Sequence, residues 1–165
     1  MKGKIIVFTG DGKGKTTAAF GMALRAAGHG KRVIIIQFLK KGEYGEIKAG
    51  VKGIEIFQFG KESFVYKPSK EDYEMAKQAL KFAEEKLAEK PFMLILDEIN
   101  VALSMGLIEV KDVVDLIEKR NESHIVLTGR NAPDEIIKLA NLATEMKKIK
   151  HYYDKGEEGI EGLEY

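Results

Sequence analysis

The chain has no cysteine, no tryptophan and only three prolines, and it carries almost no net charge. Without cysteine there is no disulfide, no thiolate nucleophile and no Cys-ligated zinc, a composition compatible with a reducing cytoplasm. The charges balance, 27 basic against 26 acidic for a formal +1, so the basic excess by which a dedicated nucleic-acid binder gathers phosphate backbone is missing. Long apolar runs are missing too. No segment approaches the length of a membrane span, and the apolar run near the N-terminus is too short for a signal peptide and leads straight into a polar turn. These absences predict a cytoplasmic protein with neither a nucleic-acid nor a membrane partner. At 165 residues, a single domain over 1–165 with one sheet buried between helices is expected.

What is present begins with Thr9-Gly10-Asp11-Gly12-Lys13-Gly14-Lys15-Thr16-Thr17, which follows the apolar run Ile5-Ile6-Val7-Phe8 and leads into Ala18-Ala19-Phe20-Gly21-Met22-Ala23-Leu24. Strand, glycine-rich turn, Lys-Thr and helix is the layout of a phosphate-binding loop. The glycines let backbone N–H groups converge on one small cavity, and the helix N-terminus adds positive potential. Lys15 reaches the outer phosphates, and the Thr16 hydroxyl is placed to ligate Mg²⁺. Thr9 stands where the usual pattern has its first glycine. A glycine-rich turn with surface lysines is the plain alternative, and the strand before and helix after it favour nucleoside triphosphate binding.

The rest of the chain alternates strand and helix signals. Arg32 to Leu39 is a second buried strand, Lys40 to Glu46 a polar loop at its ligand end, and Ile54 to Phe59 a further strand. The loop Gly60 to Pro68 carries Phe64 and Tyr66, which on composition alone favour packing against the domain's own core. Ser69 is placed to cap a long helix, with Glu71 and Asp72 in its first turn and Tyr73, Ala76, Leu80, Ala83 and Leu87 on its apolar face. Phe92 to Glu98 is a buried strand that delivers Asp97 and Glu98 to the ligand end, where carboxylates beside a phosphate loop hold Mg²⁺ or its waters. A short helix is expected over Val101–Leu107 and a full amphipathic one over Val110–Arg120, then a strand from His124 to Arg130. Arg130 is positioned to reach a triphosphate, although an ordinary surface arginine fits the spacing equally. A helix starts near Pro133, taken as its first position, and Ala143 to His151 supplies a last strand. The alternation predicts an α/β fold with a doubly wound, mostly parallel sheet. The ends Gly10–Thr17, Asp97-Glu98 and Thr128–Arg130 should meet along one edge.

Taken together, these residues resemble the P-loop type ATP:corrinoid adenosyltransferases. The resemblance covers nearly the whole chain. It rests on the phosphate loop with its replaced glycine, Leu96-Asp97-Glu98, Thr128-Gly129-Arg130, the Leu139 to Met146 segment and the closing Gly159-Ile160-Glu161-Gly162-Leu163-Glu164-Tyr165. It implies a P-loop NTPase fold of the RecA-like type. It also implies a transferase in which cobalt(I) of a reduced corrinoid attacks the ribose 5′ carbon of ATP and triphosphate leaves, in adenosylcobalamin biosynthesis or salvage. By resemblance, Lys15, Lys13 and the backbone N–H groups of Gly12 and Gly14 stabilise the leaving group, together with Mg²⁺. Gly10, Asp11 and Thr17 complete the nucleotide-binding loop. Thr16 and Glu98 contact Mg²⁺, Asp97 supports them, and Arg130 binds phosphate oxygens.

The resemblance also reverses the core reading of the aromatic loop. Phe64-Val65-Tyr66 falls where the family has Phe-x-Trp, an aromatic pair that displaces axial ligands from the corrin so that cobalt(II) can be reduced. Phe64→Ala should then spare the reaction with prereduced corrinoid and impair the route from cobalt(II). Asn141 replaces a common aspartate, and the first strand starts without the extension that covers the site in some relatives, which implies a more exposed nucleotide or one covered by a partner subunit. A homodimer and a reduced flavoprotein electron donor are implied as partners. Two other readings use the same loop: a P-loop kinase or ATP-dependent ligase acting on a small metabolite, and a slow nucleotide-dependent switch.

Overall fold

The computed structural model describes residues 1–63 and 65–165. The apolar runs form six strands: β1 (Ile5–Thr9), β2 (Val33–Phe38), β3 (Ile54–Phe59), β4 (Met93–Asp97), β5 (His124–Thr128) and β6 (Leu142–Glu145). Between them lie α1 (Lys15–Gly28), α2 (Gly45–Lys48), α3 (Lys70–Ala88), α4 (Ile99–Ser104), α5 (Val110–Glu118) and α6 (Asp134–Leu139), with a short 3₁₀ turn over Tyr152–Lys155. The strands make one sheet in the order β3-β2-β4-β5-β1-β6, with all pairings parallel. This is the α/β architecture expected from the alternation, and it is that of a P-loop NTPase. β5 lies between the strand that carries the phosphate loop and the strand that ends in Asp97.

Successive strand residues face opposite sides, so the continuous apolar runs feed two cores. Ile6, Phe8, Val33, Ile35, Met93, Ile95 and Val126 pack against Ala19, Ala23 and Ala26 of α1, whose small side chains let the helix lie close to the sheet. Ile34, Ile36, Leu94, Leu96, Ile125 and Leu127 face the other way, against α3, α4, α5 and α6. Gln37 is the polar exception in β2, fully buried near the strand's C-terminal end.

Several boundaries differ from the sequence expectation. α2 was not anticipated within the polar stretch after β2, and β6 stops at Glu145 rather than reaching His151. Pro133 is the cap preceding α6, not its first helical residue. On α3, Ala79 is buried with Ala76, Ala83 and Leu87, while Tyr73 is exposed. Among the described residues no helix is long and apolar enough to cross a membrane.

Candidate functional site

The C-terminal ends of β1, β4 and β5 converge on Asp97, which is fully buried. Its Oδ1 accepts hydrogen bonds from the hydroxyls of Thr16 (2.9 Å) and Thr128 (2.6 Å). Its Oδ2 accepts from Gln37 Nε2 (3.1 Å) and Lys40 Nζ (3.3 Å). These four donors satisfy both oxygens of a side chain that has lost its hydration. Asp97 therefore fixes the Thr16 hydroxyl at the first turn of α1. The three strand ends singled out in the sequence do meet, and Asp97 is the joint.

Glu98 follows at φ 65°, a left-handed conformation uncommon for a non-glycine residue. Its N–H donates to Thr128 Oγ1 at 3.0 Å, which anchors the turn. Burial, reinforced by the neighbouring Asp97 charge, pushes the Glu98 carboxyl above the usual range, with Lys40, Lys15 and Arg130 opposing. Thr16 Oγ1 and Glu98 Oε1 both lie within 4.0 Å of the Lys40 ammonium, and hard oxygen donors of this kind suit Mg²⁺ bound together with phosphate oxygens and water. Among the described residues no three His, Asp or Glu side chains gather into a stand-alone metal cage.

The phosphate loop is held by the segment after β6. Met146 N–H donates to Thr9 O (2.7 Å), and Gly12 N–H donates to Met146 O (2.6 Å). A Cβ at position 12 would lie 2.7 Å from that same carbonyl, so glycine is required there by close backbone approach. The Gly12 N–H is consequently engaged within the protein in this structure, where the resemblance implied a contact to phosphate. Gly14 caps α1 at φ 117°, where glycine is required by conformation. Lys15 is buried, and its ammonium donates to Gly12 O at 2.7 Å. Burial pulls its pKa below the ordinary lysine value, with Glu98 acting in the other direction. Gly10 packs against the Met146 backbone and the Glu145 side chain, Asp11 is exposed on the loop, and Thr17 is exposed in the first turn of α1.

Thr9 acquires a structural role. Its hydroxyl accepts a hydrogen bond from Ala132 N–H at 3.1 Å and so ties the loop after β5 to the end of β1. Arg130 lies in that loop, exposed, and its charge is felt at both Lys15 and Glu98. Lys13 is not free: its ammonium pairs with Glu164 Oε2 at 2.8 Å, and the Tyr152 hydroxyl also donates to Glu164. Tyr66 is 86% exposed, which rules out the core role that composition favoured for it. Phe64 lies outside the described residues. A concavity of about 540 Å³ between α3 and α5, bordered by Tyr73, Leu80 and Leu116, shares no residue with the strand-end cluster.

Sequence reasoning passed over Lys40, Gln58, Met146 and the grip of Glu164 on Lys13. One signal was available: Gln37 interrupts an apolar strand and needs a buried partner. It donates to Asp97 and in turn accepts from Gln58 Nε2 (3.0 Å), whose own carbonyl oxygen accepts from Gly42 N–H (3.2 Å). Asn141, the other departure from the family pattern, uses its side-chain oxygen to accept from Ile5 N–H at 2.9 Å.

The sequence matches, over residues 1–165, the family described as ATP:corrinoid adenosyltransferase BtuR/CobO/CobP. It is 39% identical to the corrinoid adenosyltransferase of a Sinorhizobium species, over 99% of this chain and 81% of that protein. It is 34% identical to the corrinoid adenosyltransferase of Escherichia coli K12, over 99% and 86% respectively. A Salmonella typhimurium corrinoid adenosyltransferase is 33% identical over the same shares.

Proposed function

The chain belongs to the ATP:corrinoid adenosyltransferases, and we propose that it carries out their reaction, moving the 5′-deoxyadenosyl group of ATP onto cobalt(I) of a reduced corrinoid with release of triphosphate. The observation that carries this reading is the family match along the whole chain, around a phosphate loop whose Thr16 is tied to Asp97. The cobalt–carbon bond forms and the carbon–oxygen bond to the α-phosphate breaks, so negative charge gathers on the departing triphosphate. Lys15, Lys13, Arg130 and the amides opening α1 are the groups that oppose it. Lys15 must exchange Gly12 O for phosphate, and Lys13 must exchange Glu164 for phosphate. Thr16 and Glu98 would hold Mg²⁺ directly or through water, with Asp97 fixing the threonine. When bound, the ion supplies Lewis-acid stabilisation of the leaving oxygens.

Cobalt(I) is already a strong nucleophile, so no side chain has to remove a proton. Phe64 and Tyr66 are the candidates to face the corrin, and the exposed Tyr66 ring leaves a surface for a flat ligand. A homodimer, a cytoplasmic setting and a reduced flavoprotein donor complete the reading by analogy with the family. Incubation with ATP, Mg²⁺ and chemically reduced corrinoid should yield a light-sensitive cobalt–carbon product and inorganic tripolyphosphate in equal amounts. Formation of ADP and phosphate alone would reject it in favour of a kinase or ligase.

A further inference from the structure

Lys40 belongs to no motif that the function absorbs, yet it stands at the centre of the metal-binding oxygens. Its ammonium is 3.3 Å from Asp97 Oδ2, 4.0 Å from Glu98 Oε1 and 3.5 Å from Thr16 Oγ1. Three features hold it there. Leu39, just before it, adopts a left-handed φ of 58° and anchors its N–H to Phe59 O at 2.8 Å. Gly42, just after it, is tethered through Gln58 and Gln37 to Asp97 itself. The Tyr44 ring, 5.6 Å from the ammonium, flanks it from the same loop. A strained turn and a hydrogen-bond chain both serve to aim one lysine at two carboxylates.

The electrostatic reason is direct. Adjacent carboxylates, one fully buried, require a counter-charge, and an uncompensated buried charge is strongly destabilising. Lys15 does not supply it at contact distance, because its ammonium is bonded to Gly12 O. Lys40 does. A divalent cation held by Thr16 and Glu98 would share the same few ångströms with this ammonium, and the two would repel. We propose that Lys40 is a resident counter-cation of the metal site, which keeps free Mg²⁺ out and yields only when the ion arrives with a triphosphate. The triphosphate makes the exchange favourable by offering the displaced ammonium a new anionic partner. Lys40 is thus a positioning residue that makes metal loading conditional on nucleotide, an inference that rests on the Thr16–Glu98 metal site proposed above.

Two affinities measured on the full chain test this, with Mn²⁺ as a paramagnetic probe and tripolyphosphate as the anion. In Lys40→Met, binding of Mn²⁺ alone should tighten by about tenfold, while binding of Mg²⁺–tripolyphosphate should weaken by about tenfold. Lys40→Arg, which keeps the charge, should resemble the parent in both. A purely structural lysine would weaken both ligands in a variant whose circular dichroism shows it folded. That result, or unchanged Mn²⁺ binding, overturns the proposal, and Lys40→Gln repeats the test if the methionine variant is unstable. Thr16→Val separates this from failure of the metal-site reading: if it leaves Mn²⁺–tripolyphosphate binding intact, the metal does not use Thr16 at all.

Discussion

Asp97 illustrates how far one residue can be read from sequence. Its presence at the end of an apolar strand marks it as part of a nucleotide site, but four donors on its two oxygens give it a more specific task than holding metal. Asp97→Asn keeps the shape and removes the charge. One face must then present N–H groups to hydroxyls or to an amide and ammonium that already donate. Losing buried charged hydrogen bonds of this kind should cost about 2–4 kcal/mol, measurable by urea denaturation, and phosphate affinity should fall with it. An unchanged denaturation midpoint would show that the donors can re-pair. Thr9 is the complementary case, since its departure from the glycine pattern was visible while its purpose was not. Its bond to Ala132 N–H joins residues 123 positions apart, and no local pattern encodes such a pairing. Thr9→Val should cost about 1 kcal/mol of stability and raise the ATP concentration needed for half-maximal rate, because the loop that carries Arg130 loses its tie to β1. A titration with ATP beside the denaturation curve separates the two effects.

At the level of elements, what was legible was local. Continuous apolar runs bounded by glycine or charge specify the buried strands, and the residues that start a helix announce themselves by chemistry. α3 is the clearest example: Ser69 N–H and its hydroxyl both donate to Asp72 Oδ2, at 2.7 and 2.6 Å, and Lys61 Nζ lies 3.2 Å from Asp72 Oδ1. The hydrogen bonds from Ser69, foremost, hold the Asp72 carboxyl below its ordinary range against a burial that would raise it. A carboxyl with a depressed folded pKa stabilises the fold above its unfolded value and loses that contribution as pH falls through the folded one. Asp72→Ala should therefore cost about 1 kcal/mol near neutrality, and the difference from the parent should vanish only below the ordinary aspartate range. Denaturation curves at descending pH check both the size and the window. What was not legible were the turns. Leu39 and Glu98 take positive φ at the ligand ends of strands, where neither residue type favours it, so the directions of Lys40 and Glu98 emerge only from the assembled sheet, whereas Asn131 is of a type that visits this region readily.

Across the whole molecule, the least predictable feature is the course of the last twenty residues. The closing Gly159 to Tyr165 segment was recognisable by resemblance, but not its destination. The structure brings Glu164 to Lys13, 151 positions earlier, and the Tyr165 backbone close to Gly45, so the tail spans from the phosphate loop to the start of α2. Under the proposed function, the tail and a triphosphate would compete for the same ammonium. The Lys13–Glu164 pair is partly exposed, and pairs of this kind contribute little, so Glu164→Gln should tighten tripolyphosphate binding by only about two- to fivefold. The pH dependence follows from the Glu164 carboxyl. Desolvation would raise its pKa, but hydrogen bonds from Lys13 and Tyr152 prevail and hold it below the ordinary glutamate value. The tether should then stay intact from neutral pH down to the ordinary carboxylate range and be lost as pH falls through the depressed value. Trimming by a carboxypeptidase active in acid, followed by mass spectrometry, should show slow loss of Tyr165 that accelerates only at the acid end. In Glu164→Gln the loss at neutral pH should be about two- to fivefold faster than in the parent and should not accelerate further through the carboxylate range. A release rate that climbs steadily from neutral pH, or one that the substitution leaves unchanged, would mean that the tail is held by Tyr152 and its backbone bonds alone, and that Lys13 is already available to phosphate.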